Sequence, residues 1–526
     1  MRSLQQRLKA LPPAVLRGLR RGIEKESLRV NPDGTLALTP HSPALGSALT
    51  HEHITTDFSE SQVELITGVH DSVSGCLDEL TDIHQFVHRN IGDETLWACS
   101  MPCVLPADER IPIGRYGTSN VGLAKSVYRK GLSHRYGSRM QTISGIHYNF
   151  SVPEAAWPLL QQVAGNAGPT QTFQDAAYFS LIRNFRRHSW LLLYLFGASP
   201  AVCGTFVAGR DHGLQELSPG NLYLPWATSL RMSPLGYQSA AQASLAVSYN
   251  NLDNYAFSLS DALTHPYPDY EKVGIRDGDD YRQLSTTLLQ IENEFYGTIR
   301  PKRPIHPGER PVHALRERGV EYVEVRLMDL NPFHAIGIDE ATIRFLDIFL
   351  MHCLLSDGPA DTPAEIVVIG RNQLLVARQG RNPDLLLTRE NDSLSPEAWG
   401  RELLAECEPI AAALDASHRT DAYRNALAAA GAALTQPSKT LSARVLQELA
   451  AKYDNNFPRF GLARSLQYKQ ELLSQPWSDA DEARFRKAAE DSLREQKRIE
   501  DADSMPFEIY RQNYLSRDRL RARRVA

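Results

Sequence analysis

The sequence predicts an α+β fold, with an antiparallel or mixed β-sheet in its first two thirds and a mostly helical C-terminal part. Three observations lead there. Short stretches with two-residue alternation recur at Arg21–Val30, around Glu64, around His147 and over 320–328. No regular alternation of strand and helix separates them, so a parallel doubly wound sheet is not indicated. Beyond about residue 340 the apolar spacing becomes helical almost throughout.

The elements follow in order. Residues 4–20 form a short helix broken by Pro12 and Pro13. Arg21–Val30 is a strand, NPDG a turn and TLALT a second strand, which makes a hairpin. Gln62, Glu64 and Ile66 alternate with Val63, Leu65 and Thr67 on another strand. Residues 71–93 place Leu77, Leu80, Ile83, Phe86 and Val87 on one helix face. Residues 97–120 are irregular, 121–136 helical, and MQTISGIHYNFSV returns to a strand. A long helix over Phe173–Phe196 ends at Gly197. Strands follow at 286–300 and 320–328, then helices at 340–355, 396–431, 440–452 and 478–501, the last opened by a Ser478/Asp481 capping box.

The 526 residues are 42% apolar and 23% charged, an ordinary globular composition. A net charge of −5 gives no electrostatic argument for nucleic acid or a membrane surface. Arg517, Arg519, Arg521, Arg523 and Arg524 crowd the end of the chain and read as a frayed, solvated terminus. The six cysteines, Cys76, Cys99, Cys103, Cys203, Cys353 and Cys407, are scattered, as expected of reduced thiols. The N-terminus lacks an apolar core for a signal peptide, and the longest apolar run, Trp190–Phe196, is too short to span a bilayer. A cytoplasmic protein is expected.

Chemistry concentrates on the strands. Glu24 and Glu26 lie two residues apart, so they share a strand face. Two carboxylates held side by side repel, and such a pair persists on a half-buried strand when a cation lies between them. Asp57, Glu64, His147 and Glu324 occur on other strand-like stretches. Each alone reads as a salt-bridged acid or a satisfied core histidine. Gathered on one sheet face, they form a hard oxygen-rich ligand set for Mg²⁺ or Mn²⁺. Arg326, two residues after Glu324, shares its face and suits a metal-bridged phosphate, or simply pairs with Glu324. Tyr128 beside Arg129, and Arg231 near Tyr237, form a second cationic and aromatic set. GTSNVGLAKS has glycines at P-loop spacing, but Leu123 and Ala124 intrude before Lys125, and the pattern fails. No GxGxxG or GxSxG occurs.

The segments RRGIEKESLRV, ALTHEHITTDFSESQVELIT, YGTSNVGLAKSVYRKGLSHRYGSRMQTISGIHYNFS, YLFGASPA, ATSLRMSPLGY, LLQIENEFYGTIRPKR and EYVEVRLMDLNPF together resemble the proteobacterial type of the glutamate–cysteine ligase (γ-glutamylcysteine synthetase) family. The likeness is close over roughly residues 15–350 and looser beyond. It implies a glutamine-synthetase-like fold: a curved sheet whose concave face holds the site, with helices outside. One unit over 1–526 is expected, with sheet and active site in about 15–350 and a mainly helical part in about 351–526.

The resemblance implies ATP-dependent ligation of L-glutamate, through its γ-carboxyl, to the amine of L-cysteine. The products are γ-glutamylcysteine, ADP and phosphate, formed through γ-glutamyl phosphate in the first step of glutathione biosynthesis. It assigns Glu24, Glu26, Asp57, Glu64, His147 and Glu324 to two or three Mg²⁺ ions, with Mn²⁺ as an alternative. Arg326 touches the transferring phosphate and is catalytic; Arg129 is catalytic and substrate-binding. Tyr128, Arg231, Tyr237 and Tyr296 hold the amino acids, and Phe58 and Leu132 line the cysteine pocket. A monomer inhibited by glutathione is expected, with no nucleic-acid or membrane partner. Bifunctional relatives that complete glutathione carry a further ATP-grasp domain, for which this chain has no room. Two competing readings remain. A carboxylate–amine ligase with another amine acceptor would share the metal and phosphate residues and differ in the pocket around Phe58, Leu132 and Tyr237. A non-catalytic descendant of the fold would have lost one of the acids or Arg326, and none is missing.

Overall fold

The computed structural model describes residues 2–236, 241, 242, 245, 247–306 and 308–520. Its central sheet has seven strands: β1 (Arg20–Val30), β2 (Ile54–Thr56), β3 (Gln62–Ile66), β4 (Thr95–Leu96), β5 (Ile146–Ser151), β6 (Ile299–Lys302) and β7 (Tyr322–Met328). The order is β6-β7-β5-β1-β3-β2, with β4 paired to the end of β1, and every pairing is antiparallel. An antiparallel sheet followed by a mostly helical C-terminal part is the α+β arrangement that the sequence predicts.

The strands have two chemically distinct faces, because successive side chains point to opposite sides. Ile23, Val63, Leu65, Ile146, Tyr148, Phe150, Val323 and Val325 are buried on one side. Helices Val73–Asn90, Thr170–His188 and Glu340–Leu355 supply the rest of that core. The opposite side carries Glu24, Glu26, Glu64, His147, Asn149, Glu324 and Arg326.

Lys25 is an exception on the apolar side. Its ammonium is buried, donating to Ser27 Oγ at 2.8 Å and lying 2.8 Å from His84 Nε2. Burial pushes its pKa down to about 7. His84 Nδ1 lies 2.7 Å from the Leu80 carbonyl, which leaves Nε2 to accept.

Several local expectations change. TLALT is shorter than the expected strand: Asn31 N–H donates to Thr35 O and Ala37 N–H to Arg29 O around a single Val30–Leu36 bridge, while Leu36 N–H, on the outer edge, donates to Val104 O. Of 286–300, only Ile299 onward is strand; Glu292–Glu294 is a short 3₁₀ turn. The long helix divides at Ser189 into Thr170–His188 and Trp190–Phe196. There the serine hydroxyl bonds back to Arg186 O and accepts from Gln373 Nε2, competing with the helix. The 396–431 helix is two, Pro396–His418 and Ala422–Thr435. Arg419 adopts left-handed backbone (φ 57°), and Asp415 accepts the Tyr423 and Arg424 N–H groups that open the second helix. Helices Pro363–Gln379 and Phe457–Ser474 join the expected set, each announced by an N-cap residue and a proline, Thr362-Pro363 and Asn456-Phe457-Pro458. The Ser478/Asp481 capping box forms. All six cysteines are free and buried.

Candidate active site

The polar sheet face is the floor of a cavity of about 400 Å³, within the usual range for a small-molecule site. Strand register decides which acids meet. Glu24 pairs with His147 across β1 and β5, and Glu26 with Glu64 across β1 and β3. Directly opposed residues bring their side chains within about 5 Å. One ligand atom from each of Glu24, Glu64 and His147 lies within 4.8 Å of the others. His147 also approaches Glu26 (3.6 Å) and Glu324 (3.7 Å). Asp57, just beyond β2, lines the same cavity. All six predicted ligands therefore surround one volume, with Glu24, Glu64 and His147 at its tightest point.

The electrostatics divide this cluster. Burial and Glu324 push the Glu24 carboxyl up, but the His147 hydrogen bond and the Lys302 charge outweigh them, and the net direction is down. Glu324, also buried, is held well below the usual range by Lys302 (3.4 Å) and Arg326 (3.1 Å). Glu26 goes up through burial and Asp57, although Gly145 N–H donates to it at 2.8 Å. Glu64 goes up furthest, through burial and then Glu24, Asp57 and Glu26. Among the described residues, no donor reaches its carboxylate.

Buried His147 Nε2, Glu324 Oε2 and Asn149 Oδ1 have no hydrogen-bond partner among the described residues. Mutually repelling carboxylates beside an imidazole nitrogen without a partner fit hard divalent cations.

Arg326 owes its setting to a local irregularity. Pairing of β7 with β5 advances from Val325–Tyr148 to Met328–Ile146, so β7 carries one extra residue at Arg326–Leu327. Such a bulge breaks the ladder and re-aims a side chain. The Arg326 carbonyl, outside the ladder, accepts from Arg231 Nη2 at 2.8 Å. Arg231 is itself buried, with Asp329 at 3.9 Å. It passes so close to Gly145 that a Cβ there would lie 2.1 Å from Arg231 Nη2. Strand alternation foresees Arg326 beside Glu324 but not the bulge, which depends on the partner strand.

Helix Asn120–Tyr136, capped by Ser119, forms the opposite wall. It presents Tyr128 and Leu132, both buried, near Phe58, Met140 and Ile143. Arg129 Nε donates to the Asp57 carbonyl and Nη1 to Lys125 O, and its guanidinium lies 4.4 Å over the Tyr116 ring. It thereby braces the loop that carries Asp57 and Phe58. Tyr296 OH accepts from Gln141 Nε2 at 2.9 Å. Tyr237 falls outside the described residues, as do Arg521, Arg523 and Arg524 of the basic terminus.

Several polar residues at or beside the cavity were not singled out from the sequence. Arg300 and Lys302 alternate on β6, a period-2 signal within TIRPKR. Asn149, two residues after His147, donates to Glu24 at 2.9 Å. Lys125, from the failed P-loop match, lies 4.9 Å over Tyr116, and burial lowers its pKa to about 8.

Known proteins resemble this chain over most of its length. Residues 4–376 match the family described as glutamate-cysteine ligase. The chain is 49% identical over 523 residues to the glutamate–cysteine ligase of Alcanivorax borkumensis, covering 98% of this chain and 99% of that one. It is 49% identical over 489 residues to the enzyme of the same name from Pseudomonas aeruginosa PAO1, covering 93% and 92%. Among solved structures, glutamate–cysteine ligase from Francisella tularensis in complex with AMP superposes with a TM-score of 0.89 at 36% identity, covering 95% of this chain and 97% of that one. A bifunctional glutathione synthetase from Pasteurella multocida gives a TM-score of 0.70 at 25% identity, covering 90% of this chain but 55% of that one.

Proposed function

The chain belongs to the glutamate–cysteine ligase family, and we infer from that premise how its cavity joins glutamate to cysteine with ATP. It is an ATP-dependent ligase of glutathione biosynthesis, making γ-glutamylcysteine, ADP and phosphate. The observation that carries the residue assignments is one cavity lined by five carboxylates and His147 beside Arg326, with an apolar, arginine-lined recess next to them.

In this reading Glu24, Glu26, Asp57, Glu64, His147 and Glu324 hold two or three Mg²⁺ ions. Bound there, such ions would supply positive charge opposite the phosphate oxygens. Lys302 and Arg300 add cationic charge at the sheet edge. The planar fork of Arg326 donates to the oxygens of the γ-phosphoryl group as it passes to the γ-carboxylate of glutamate. A donor fixed before the reaction stabilises developing charge without reorganising. Arg231 holds the Arg326 backbone and keeps that donor aimed. Tyr128, Tyr237, Tyr296 and Arg231 position the amino acids, with Phe58 and Leu132 around the cysteine side chain. The cysteine amine then attacks the acyl carbon of γ-glutamyl phosphate, and phosphate leaves. The recess of Phe58, Leu132, Met140 and Ile143 excludes water, which would otherwise intercept the acyl phosphate.

Other parts of the reading follow from the same site. Residues 1–526 act as one unit, because elements before 350 and after 500 line the same cavity. One chain supplies every group used, so a monomer suffices. Glutathione contains the γ-glutamylcysteinyl product and fits the same recess as an inhibitor. Unpaired buried cysteines suit a reducing cytoplasm.

Incubation with glutamate, cysteine, ATP and Mg²⁺, followed by mass analysis, should yield γ-glutamylcysteine and ADP. 2-Aminobutyrate, similar in size without the thiol, should replace cysteine. Turnover with glycine or ammonia but with neither of these would replace this reading with a ligase for another amine.

A further inference from the structure

The far end of the chain reaches the cavity. Helix Phe507–Leu515 lines it with Tyr510 and Tyr514, one turn apart, together with Ile305 and Pro311. The two rings are parallel within 6°, with centroids 6.0 Å apart. Both are half-buried, and Ile305 is 52% exposed, so aromatic and aliphatic surface stands open at this end.

The helix is held in place by buried contacts from distant sequence. Arg310, 1% exposed, donates to Glu292 at 2.9 and 2.6 Å and to the Tyr514 carbonyl at 2.9 Å. Its guanidinium lies 4.8 Å over the Tyr514 ring. Arg511 donates to Leu284 O at 2.6 Å, and Asn120 Nδ2 to Met505 O at 2.9 Å, at the start of the substrate-wall helix. A buried ion pair is weak evidence for stability, but its geometry fixes an element in one position.

Charge runs from this end toward the carboxylates. Lys302 lines a neighbouring hollow with Ile305 and Pro311, and its ammonium is 3.4 Å from Glu324. An open aromatic and aliphatic slot, then cations, then a metal-ligand cluster, matches the chemical order of base, phosphate chain and reacting phosphoryl group.

Resting on the ligase reading above, the geometry points to Tyr510 and Tyr514 as the wall against which the adenine of ATP lies, with Ile305 and Pro311 opposite. Every nucleobase has a flat π-face that stacks on aromatic rings. The wall therefore supplies affinity for the nucleoside and none for the phosphates or the amino acids.

Full-length Y510A/Y514A and Y510F/Y514F proteins test this. In steady-state assays the alanine pair should raise KM for ATP at least tenfold, with KM for glutamate and cysteine within twofold of the parent. Calorimetry should show the same loss for ADP with Mg²⁺, while inhibition by tripolyphosphate, which has no base, stays unchanged. The phenylalanine pair, which keeps both rings, should behave like the parent. Ile305→Asp, at an exposed position that tolerates substitution, should also weaken ADP if the alanine pair fails to fold. An unchanged KM for ATP, or equal weakening of ADP and tripolyphosphate, overturns the wall. A parent protein that neither binds ADP nor turns over with ATP overturns the ligase reading instead.

Discussion

Replacing Glu64 by glutamine should make the metal-free protein more stable and the enzyme far less active. The side chain faces Glu26 across the β1–β3 register, and its ligand atom lies within 4.8 Å of that of Glu24. At that separation two unit charges repel by roughly 3 kcal/mol at an effective dielectric of about 20. Burial, then Glu24, Asp57 and Glu26, already push the Glu64 carboxyl well above its ordinary range, the signature of a charge without compensation. Glutamine keeps the shape and removes the charge. With metal chelated at pH 8, the variant should gain about 1–3 kcal/mol in unfolding free energy, part of the repulsion being relieved by neighbours.

Magnesium should reverse the order. Ligand binding stabilises the native state by RT ln(1 + [L]/Kd), about 2.7 kcal/mol at a hundredfold excess over Kd, and the variant loses much of that gain. Thermal melts in EDTA and across a Mg²⁺ titration, beside coupled ADP-release kinetics, read both effects. Turnover should fall by about two orders of magnitude or more, as for loss of one preorganised charge partner. A variant that melts earlier in EDTA yet turns over within threefold of the parent would refute the reasoning, making Glu64 an ordinary structural carboxylate.

Arg326→Lys keeps one charge and loses the fork, so kcat should fall about a hundredfold with little change in KM for glutamate or cysteine; retained kcat with a small loss of melting temperature would make Arg326 a simple partner of Glu324. Gly145→Ala should displace Arg231 and, through it, the Arg326 backbone, lowering kcat about tenfold or more with the far-UV spectrum unchanged. His51 Nδ1 accepts the N–H groups of His53 and Ile54 at 3.0 Å, and burial, then His53, lowers its pKa to about 4. The unfolded chain binds this proton below about pH 6.5 and the folded chain only below about 4, so stability should fall as pH drops through that window, by about 2–3 kcal/mol. His51→Asn keeps an acceptor and should flatten the wild-type slope between pH 6.5 and 4; an unchanged slope would assign it to other groups.

Much of the sheet was legible locally. Two-residue alternation put Glu24 with Glu26, and Glu324 with Arg326, on shared faces before any partner strand was known. Helix boundaries followed where caps were written into the chain, as at Ser478. The failures came where a distant group competed for the backbone. The second arm of the first hairpin stopped after one bridge, its outer edge bonding to Val104, and the long helix was divided where Ser189 meets Gln373.

The chain by itself determined the repertoire: which residue types carry charge, which face of each strand they occupy, and, through its resemblance, which reaction they serve. Pairing was decided only by the tertiary structure. Register set Glu24 against His147 and Glu26 against Glu64, and it placed the β7 bulge at Arg326. Contacts across some 200 residues of sequence brought Arg310 to the backbone of Tyr514 and closed the cavity with the last helix. Such pairings depend on which surfaces bury each other, a property of the folded whole that no local spacing encodes.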